Sequence, residues 1–212
     1  MGAVNAYQFD RGIARVSLTC AGCGHGSHDC LASLLDSIHA IEEDSRVSAV
    51  YFALSGGDIE EVGGDTEITP VLHDTGSEDK AGLPRLFKEI RGFPLPLVST
   101  IKGRVSFKDA AVFLASDLVL MDSDAEIAID AAEDDFEDIA SLLKRRLPPE
   151  LAQALASGKK LSASQALAGN LCDFVVPSGE LPSMAVSLAG RLGNGPGEML
   201  TLIQAEAMRG RS

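Results

Sequence analysis

Residues 101–129 read IKGRVSFKDAAVFLASDLVLMDSDAEIAI, and the order of patterns within them decides the fold. The stretch opens on the end of an apolar run from Pro96 that predicts a buried strand to Lys102, with a turn at Gly103. Phe107 to Ser116 predicts a helix in which Phe107, Ala110, Ala111, Val112, Phe113, Leu114 and Ala115 leave almost no polar face. Such a helix has to be covered on nearly all sides. Leu118 to Met121 and Glu126 to Ile129 then predict two short strands. Strand and helix alternating this closely belong to an α/β protein. A buried helix entered straight from a strand aims its first unsatisfied N–H groups at whatever sits at the turn, and those donors favour negative charge. Chemistry is expected at that turn.

Upstream, Ala14 to Leu18 alternates as a strand after an Asp10-Arg11-Gly12 turn. Leu31, Leu34, Leu35, Ile38 and Ile41 recur at helical spacing, with Ser27 or Asp29 as N-cap and His39 as an ordinary surface or packed histidine. Val47 to Leu54 is a nearly continuous apolar run, as in a strand covered on both faces. It ends in Ser55-Gly56-Gly57-Asp58, where glycines let the backbone turn sharply and bring N–H groups close to a ligand; a plain turn uses the same residues. Residues 63–82 are polar, acidic and glycine-containing and read as a long loop, a type that often serves as a lid. Leu83 to Ile90 predicts a short helix, stopped by Gly92, Pro94 and Pro96.

Downstream, Asp130 to Asp138 is a dense acid run of the kind that favours the positive end of a helix. Ile139, Leu142, Leu143 and Leu147 follow as an apolar stripe, and Pro148-Pro149 opens a helix through Ala156 that Gly158 ends. Ser162 is the expected cap of a helix Ala163 to Ala168, Gly169-Asn170 its terminator, and Phe174 to Val176 a closing strand. Two last helices are expected near Leu181 to Leu192 and Pro196 to Met208.

The 212 residues, 45% hydrophobic, are enough for one full core. Residues 1–180 read as the core domain and 181–212 as a C-terminal helical segment that packs on the core or on a neighbouring subunit. A net charge of −13, from 31 acidic against 18 basic residues without a Lys/Arg run, argues against nucleic acid and anionic membrane as partners. No apolar stretch approaches the roughly 18 residues of a membrane span, and no secretory pattern opens the chain. Four cysteines in a chain this long give no disulfide framework, so a cytoplasmic protein is expected. Three of them gather in CAGCGHGSHDC, where Cys20, Cys23, His25, His28 and Cys30 offer zinc-type ligands. Structural zinc usually draws ligand pairs from separated segments, so this stretch is read as a small-residue loop leading into a helix, with no metal. Neither a G-x-G-x-x-G opening a helix nor a phosphate-binding G-x-x-x-x-G-K-[ST] is present.

Several segments carry a family resemblance. PLPLVSTIKG (Pro94 to Gly103) resembles "kPviAaVnG", AVYFALSGGDI (Ala49 to Ile59) resembles "vvltG…aGaDl", and LSASQALAGNLCDFVVP (Leu161 to Pro177) is similar to "lsAeeAl..GLVd.vvp". Ile101, Gly103, Asp117, Leu118, Ala125 and Ile127 look like the landmarks around the buried helix. In this order, over roughly residues 11 to 192, they resemble the crotonase superfamily, the enoyl-CoA hydratase/isomerase fold. The resemblance implies an α/β crotonase-like spiral of ββα units with C-terminal helices. It implies an acyl thioester substrate, bound to CoA or to an acyl carrier protein, with no separate cofactor, and a homotrimer or hexamer. It also implies two backbone N–H groups that stabilise an enolate at the thioester carbonyl. The first falls at Ser55 or Gly56, and the second, by counting, at Lys108. Gly57, Asp58, Gly103 and Arg104 fall on the substrate-binding side of the same turns.

The resemblance fails at the acid/base positions. The family's two glutamates fall at Ala111 and Ala131, with Asp130 and Glu133 flanking the second. Where the family has three glycines at the helix start, this chain has Phe107-Lys108-Asp109. Lys108 and Asp109 could supply a cation and a proton carrier there, or be a solvated helix start. The activity implied is an atypical isomerisation, decarboxylation or dehydration; the alternative is a non-catalytic homologue that binds a thioester or a partner subunit.

Overall fold

The computed structural model describes residues 6–19, 28–55, 67–70, 83–105, 112–128, 147–177 and 179–195. Two strands begin it, β1 (Ala6–Asp10) and β2 (Ile13–Thr19), joined by a two-residue turn. Arg11 and Gly12 both take positive φ, 47° and 85°, the geometry that matches a hairpin to the right-handed twist of its strands. Helix α1 (His28–Glu43) follows and buries Leu34, Leu35, Ile38 and Ile41, the predicted stripe. Asp29, offered as a cap, lies inside this helix. Then come β3 (Ala49–Ser55), β4 (Glu67–Pro70) and α2 (Leu83–Gly92).

Strands β5 (Leu97–Lys102) and β6 (Arg104–Val105) are separated only by Gly103, and residues 112–115 are helical. Strands β7 (Leu118–Asp122) and β8 (Glu126–Ile127), helix α3 (Pro149–Ala156), strand β9 (Leu161–Ser162), helix α4 (Ala163–Ala168), strand β10 (Phe174–Val176) and helix α5 (Leu181–Asn194) complete the chain. Two strands followed by a helix recur along this order, as the spiral implies. Among the described residues no helix is long and apolar enough to cross a membrane.

Seven strands form one sheet in the order β10-β7-β5-β3-β2-β1-β4, and β6-β8-β9 form a second. From β10 to β2 all neighbours are parallel; β1 and β4 add antiparallel strands at one edge. Neither β1 nor β4 was expected from the sequence, and β4 lies inside the 63–82 stretch read as a loop. EITP has too little alternation to signal a strand alone; pairing of Ile68 with Gln8 and of Thr69 with Tyr7 makes it one. Of the expected strand Glu126 to Ile129, Glu126 and Ile127 pair with β6 and β9, the Ala128 N–H donates to Val105 O at 3.3 Å, and Ile129 lies outside the described residues.

The large sheet is covered on both faces. Ala14, Val16, Val50, Phe52, Leu54, Ile101, Val119 and Met121 face one core, with α1, α2 and the 112–115 turn over them. Ile13, Ala49, Tyr51, Val98, Leu118 and Leu120 face the other, under Leu181, Ala185, Leu188, Ala189 and Leu192 of α5. That i, i+4, i+7 spacing is why α5 lies along the sheet. Each fully buried leucine contributes about 1.5–3 kcal/mol by leaving water. The approach is close at Gly193, where an added Cβ would stand 2.7 Å from Ser48 Oγ and 2.8 Å from Ser48 O.

Two aspartates set strand register by the same device. Asp117 Oδ2 accepts the Leu97 N–H at 2.9 Å while its own N–H donates to Leu97 O at 3.0 Å, tying β5 to the start of β7. Asp173 repeats this with Val119, at 2.8 and 2.7 Å, for β7 and β10. The expected cap of α4 is also present: Ser162 Oγ accepts the Gln165 N–H, and Gln165 Oε1 accepts the Ser162 N–H at 3.0 Å. Asn170, at φ 59°, terminates that helix in the left-handed region.

Candidate functional site

In an open parallel sheet, ligands sit beyond the carboxyl ends of the strands. Here three of those ends are level: Thr19, Ser55 and Lys102 are ladder partners across β2, β3 and β5. Lys102 follows Val98 and Thr100, and Ser55 follows Tyr51 and Ala53, on the face that α5 covers further back. Ser55 and Lys102 are therefore side-chain neighbours on one face, and both are half-buried.

At the next residue the chain leaves the large sheet. Gly103 takes φ 68°, a left-handed conformation that costs little only without a Cβ, and its carbonyl accepts the Glu126 N–H at 2.9 Å. The neighbouring strand turns the same corner at Asp122, which is 2% exposed. Its Oδ1 accepts the Asp124 N–H at 3.0 Å, and Ala125 N–H donates to Asp122 O at 3.0 Å. Strands β5/β6 and β7/β8 thus bend together, and β6 runs against the end of β3.

On the small sheet Arg104 is exposed and opposite Glu126, whose Oε2 lies 3.0 Å from Lys160 Nζ. Its neighbour Val105 is fully buried, as are Val112, Phe113, Leu114 and Ala115, the end of the apolar helix read from the sequence. Ser116 Oγ donates to Val112 O at 2.8 Å and shares a hydrogen bond with Ser99 Oγ, closing that helix against β5.

The structure thus brings Ser55, Gly103 and Arg104 to one corner. Gly56, Gly57, Asp58, Lys108, Asp109, Asp130 and Glu133 lie outside the described residues, as do Ala111 and Ala131. The cluster of Cys20, Cys23 and His25 does too, while His28 and Cys30 begin α1. Lys102 was missed by the sequence reading, although one signal was available: it stands where the family pattern "VnG" has asparagine. Arg15 is engaged within the sheet. Its guanidinium stands 5.6 Å from the Tyr51 ring centroid, and Nη1 donates to Gln8 Oε1 at 3.3 Å.

Two other features lie at the opposite end of the sheet. An apolar crevice between α1, α2 and the starts of β3 and β5 is lined by Ile38, Ile41, Val50, Phe52, Ile90, Phe93 and Leu97. It has no polar group with which to orient a reacting atom. In the loop before β3, Asp44 is held well below the ordinary carboxylate range. Hydrogen bonding from the Arg46 side chain is the main cause, opposed by burial and assisted by the Tyr7 hydroxyl. Seven residues of β3 separate this group from Ser55, about 20 Å, so it takes no part at the corner.

Comparison with known proteins agrees with this geometry. The family model for enoyl-CoA hydratase/isomerase matches residues 27–211. A Thermus thermophilus protein described as a "Putative enoyl-CoA hydratase" is 28% identical over 171 residues, 77% of this chain and 67% of that relative. Among solved structures, a Pseudomonas aeruginosa protein superposes with a TM-score of 0.70 at 20% identity, covering 99% of this chain and 98% of its own. A methylmalonyl-CoA decarboxylase does so with a TM-score of 0.67 at 16% identity, covering 96% and 79%. With the match spanning most of its length and the spiral present, the chain belongs to the enoyl-CoA hydratase/isomerase family and has the crotonase fold.

Proposed function

We propose that this protein acts on an acyl thioester, carried by CoA or by an acyl carrier protein, and stabilises the enolate formed at its carbonyl. The oxyanion is held by two backbone amides, one at Ser55 or Gly56 and one at Lys108. The observation that carries this reading is the position of Ser55. It closes β3 at the carboxyl edge of the parallel sheet, level with Lys102 and beside the Gly103 corner, in a chain of this family. A preorganised donor aimed at a developing oxyanion is worth about 3–4 kcal/mol in the barrier. Gly57, Asp58, Gly103 and Arg104 are the substrate-binding residues of this reading.

Ala111 and Ala131 leave no glutamate at the family's acid/base positions, so the reaction is an isomerisation, decarboxylation or dehydration whose proton is handled by Lys108, Asp109, Asp130 or Glu133. Ala111 also favours a second reading, a non-catalytic homologue that binds a thioester or a partner subunit. The homotrimer or hexamer common in the family is the assembly expected, in the cytoplasm. A thermal-shift titration with CoA, acetoacetyl-CoA and a pantetheine thioester tests the first step: a ligand at 100 times its Kd stabilises the fold by about 2.7 kcal/mol. Stabilisation followed by turnover that falls in Lys108→Ala, Asp109→Ala, Asp130→Ala or Glu133→Ala supports the enzyme. Stabilisation without turnover supports the binding homologue, and no stabilisation by any of the three sinks the thioester reading.

A further inference from the structure

We infer that Asn194 is a site of spontaneous covalent modification: its side-chain amide is attacked by the backbone nitrogen of Gly195 and lost as ammonia, which leaves a carboxylate at the end of α5. The reaction needs nothing from the thioester site.

The two residues that react are neighbours. Asn194 is the last residue of α5, and Gly195 is its C-cap. An asparagine side chain can close a ring on the nitrogen of the next residue, and a Cβ on that residue crowds the approach. Gly195 has none. Asn5 and Asn170 are followed by Ala6 and Leu171, which do.

Exposure and hydrogen bonding point to the same place. Asn194 is exposed, so water reaches the ring and ammonia can leave. A nitrogen inside a helix is held by the carbonyl four residues back and turned along the axis. Gly195 N–H instead meets Leu192 O at 3.4 Å, longer than an ordinary N–H···O bond, and Gly195 is already extended, at φ −102° and ψ 152°. Asn194 Nδ2 donates to Gly190 O at 2.8 Å, and that bond has to open first. Both bonds lie in the last turn of a helix, where local opening costs little.

The atoms balance with water as the other reactant. Gly195 N bonds to Asn194 Cγ, the Cγ–Nδ2 bond breaks, and Nδ2 departs as ammonia with the proton that Gly195 gives up. Water then opens the imide. Addition at Cγ restores the ordinary link as an aspartyl residue; addition at the main-chain carbonyl leaves a β-linked isoaspartyl residue, with an extra methylene in the backbone. Either product sets a negative charge at the negative end of α5, where Arg191 is the basic residue of the last turn. Either also replaces the donor to Gly190 O by an acceptor. The β-linked product lengthens the backbone one residue from the tight approach of Gly193 to Ser48. Modification should therefore loosen the end of α5 from the entry to β3.

The test ages the wild type in mildly alkaline buffer, folded and unfolded in urea, and digests it with trypsin in mildly acidic buffer. Mass spectrometry follows the peptide 192–209, bounded by Arg191 and Arg209. That peptide should gain the mass of an amide turned into an acid, placed on Asn194 by its fragments, and an isoaspartyl methyltransferase should label it. The folded protein should react within about tenfold of the unfolded rate, the scale of opening one helix end. A folded rate more than about tenfold slower overturns the inference, because the fold then protects the amide. So does a mass gain that falls on Gln204. Gly195→Ala should slow the gain several-fold, in the unfolded chain as well, and an unchanged rate there overturns the ring-closing route without needing a folded variant. Aged protein should melt below fresh protein; equal melting temperatures overturn the loosening of α5.

Discussion

Asp117 and Leu97 exchange two hydrogen bonds across neighbouring strands, Leu97 N–H to Asp117 Oδ2 at 2.9 Å and Asp117 N–H to Leu97 O at 3.0 Å. This pair sets where β5 begins against β7. It therefore sets where β5 ends, five residues later, level with Ser55. Asp117→Ala leaves the Leu97 amide without its acceptor near the core and should cost about 1–3 kcal/mol. Asp117→Asn keeps an acceptor and should cost less. Urea unfolding with an unchanged m value reads the difference.

Gly193 packs against Ser48 with no room for a methyl group. Gly193→Ala would place a carbon 2.7–3.0 Å from Ser48 Oγ, O and C, and the last two are backbone atoms that cannot step aside without moving the entry to β3. The overpacking cost, about 1–3 kcal/mol, should exceed the few tenths to one that alanine gains in helix propensity, so the melting temperature falls. A rise in Tm for Gly193→Ala would contradict the packing of α5 described above.

Asp44 makes stability depend on pH in one direction. Its carboxyl lies below its unfolded value of 3.8 in the folded protein, chiefly through the Arg46 guanidinium and also through Tyr7. The stability it contributes is complete above about pH 5 and is lost as pH falls through 3.8 toward the depressed folded value. Unfolding free energies measured between pH 6 and about 2.5 should fall more steeply for the wild type than for Asp44→Asn. Parallel curves would mean that Asp44 has no part in the acid response.

Ser162 caps α4 in a reciprocal box with Gln165 while its own strand residue pairs with Glu126. Ser162→Ala should cost about 1 kcal/mol, and Ser162→Asp should recover most of it, because either side chain can accept the Gln165 amide. Chemical denaturation of the two variants side by side checks this.

Phe113 is 1% exposed and lies in the helical turn that the sequence marked as apolar on every side. Phe113→Ala should cost about 3–5 kcal/mol, through lost burial and the cavity left behind. A cost below about 1 kcal/mol would show that this turn is not packed in the core.

What the sequence determined by itself was whatever depends on neighbours along the chain. The stripe of α1, the run of β3, the helix opened at Pro149, the Ser162 cap and the Asn170 stop were all legible, because spacing and capping chemistry act within one turn or one strand. The motif order likewise announced the family. The tertiary structure alone decided what depends on partners far away. β4 exists as a strand because it pairs with β1, and EITP carries too little alternation to declare it. Lys102 drew no notice as one lysine before a glycine, and acquired a meaning when register set it beside Ser55 on the same face. Register between strands separated by about 47 residues is fixed by side chains such as Asp117 and by two cores on opposite faces of one sheet, and no local window contains that information.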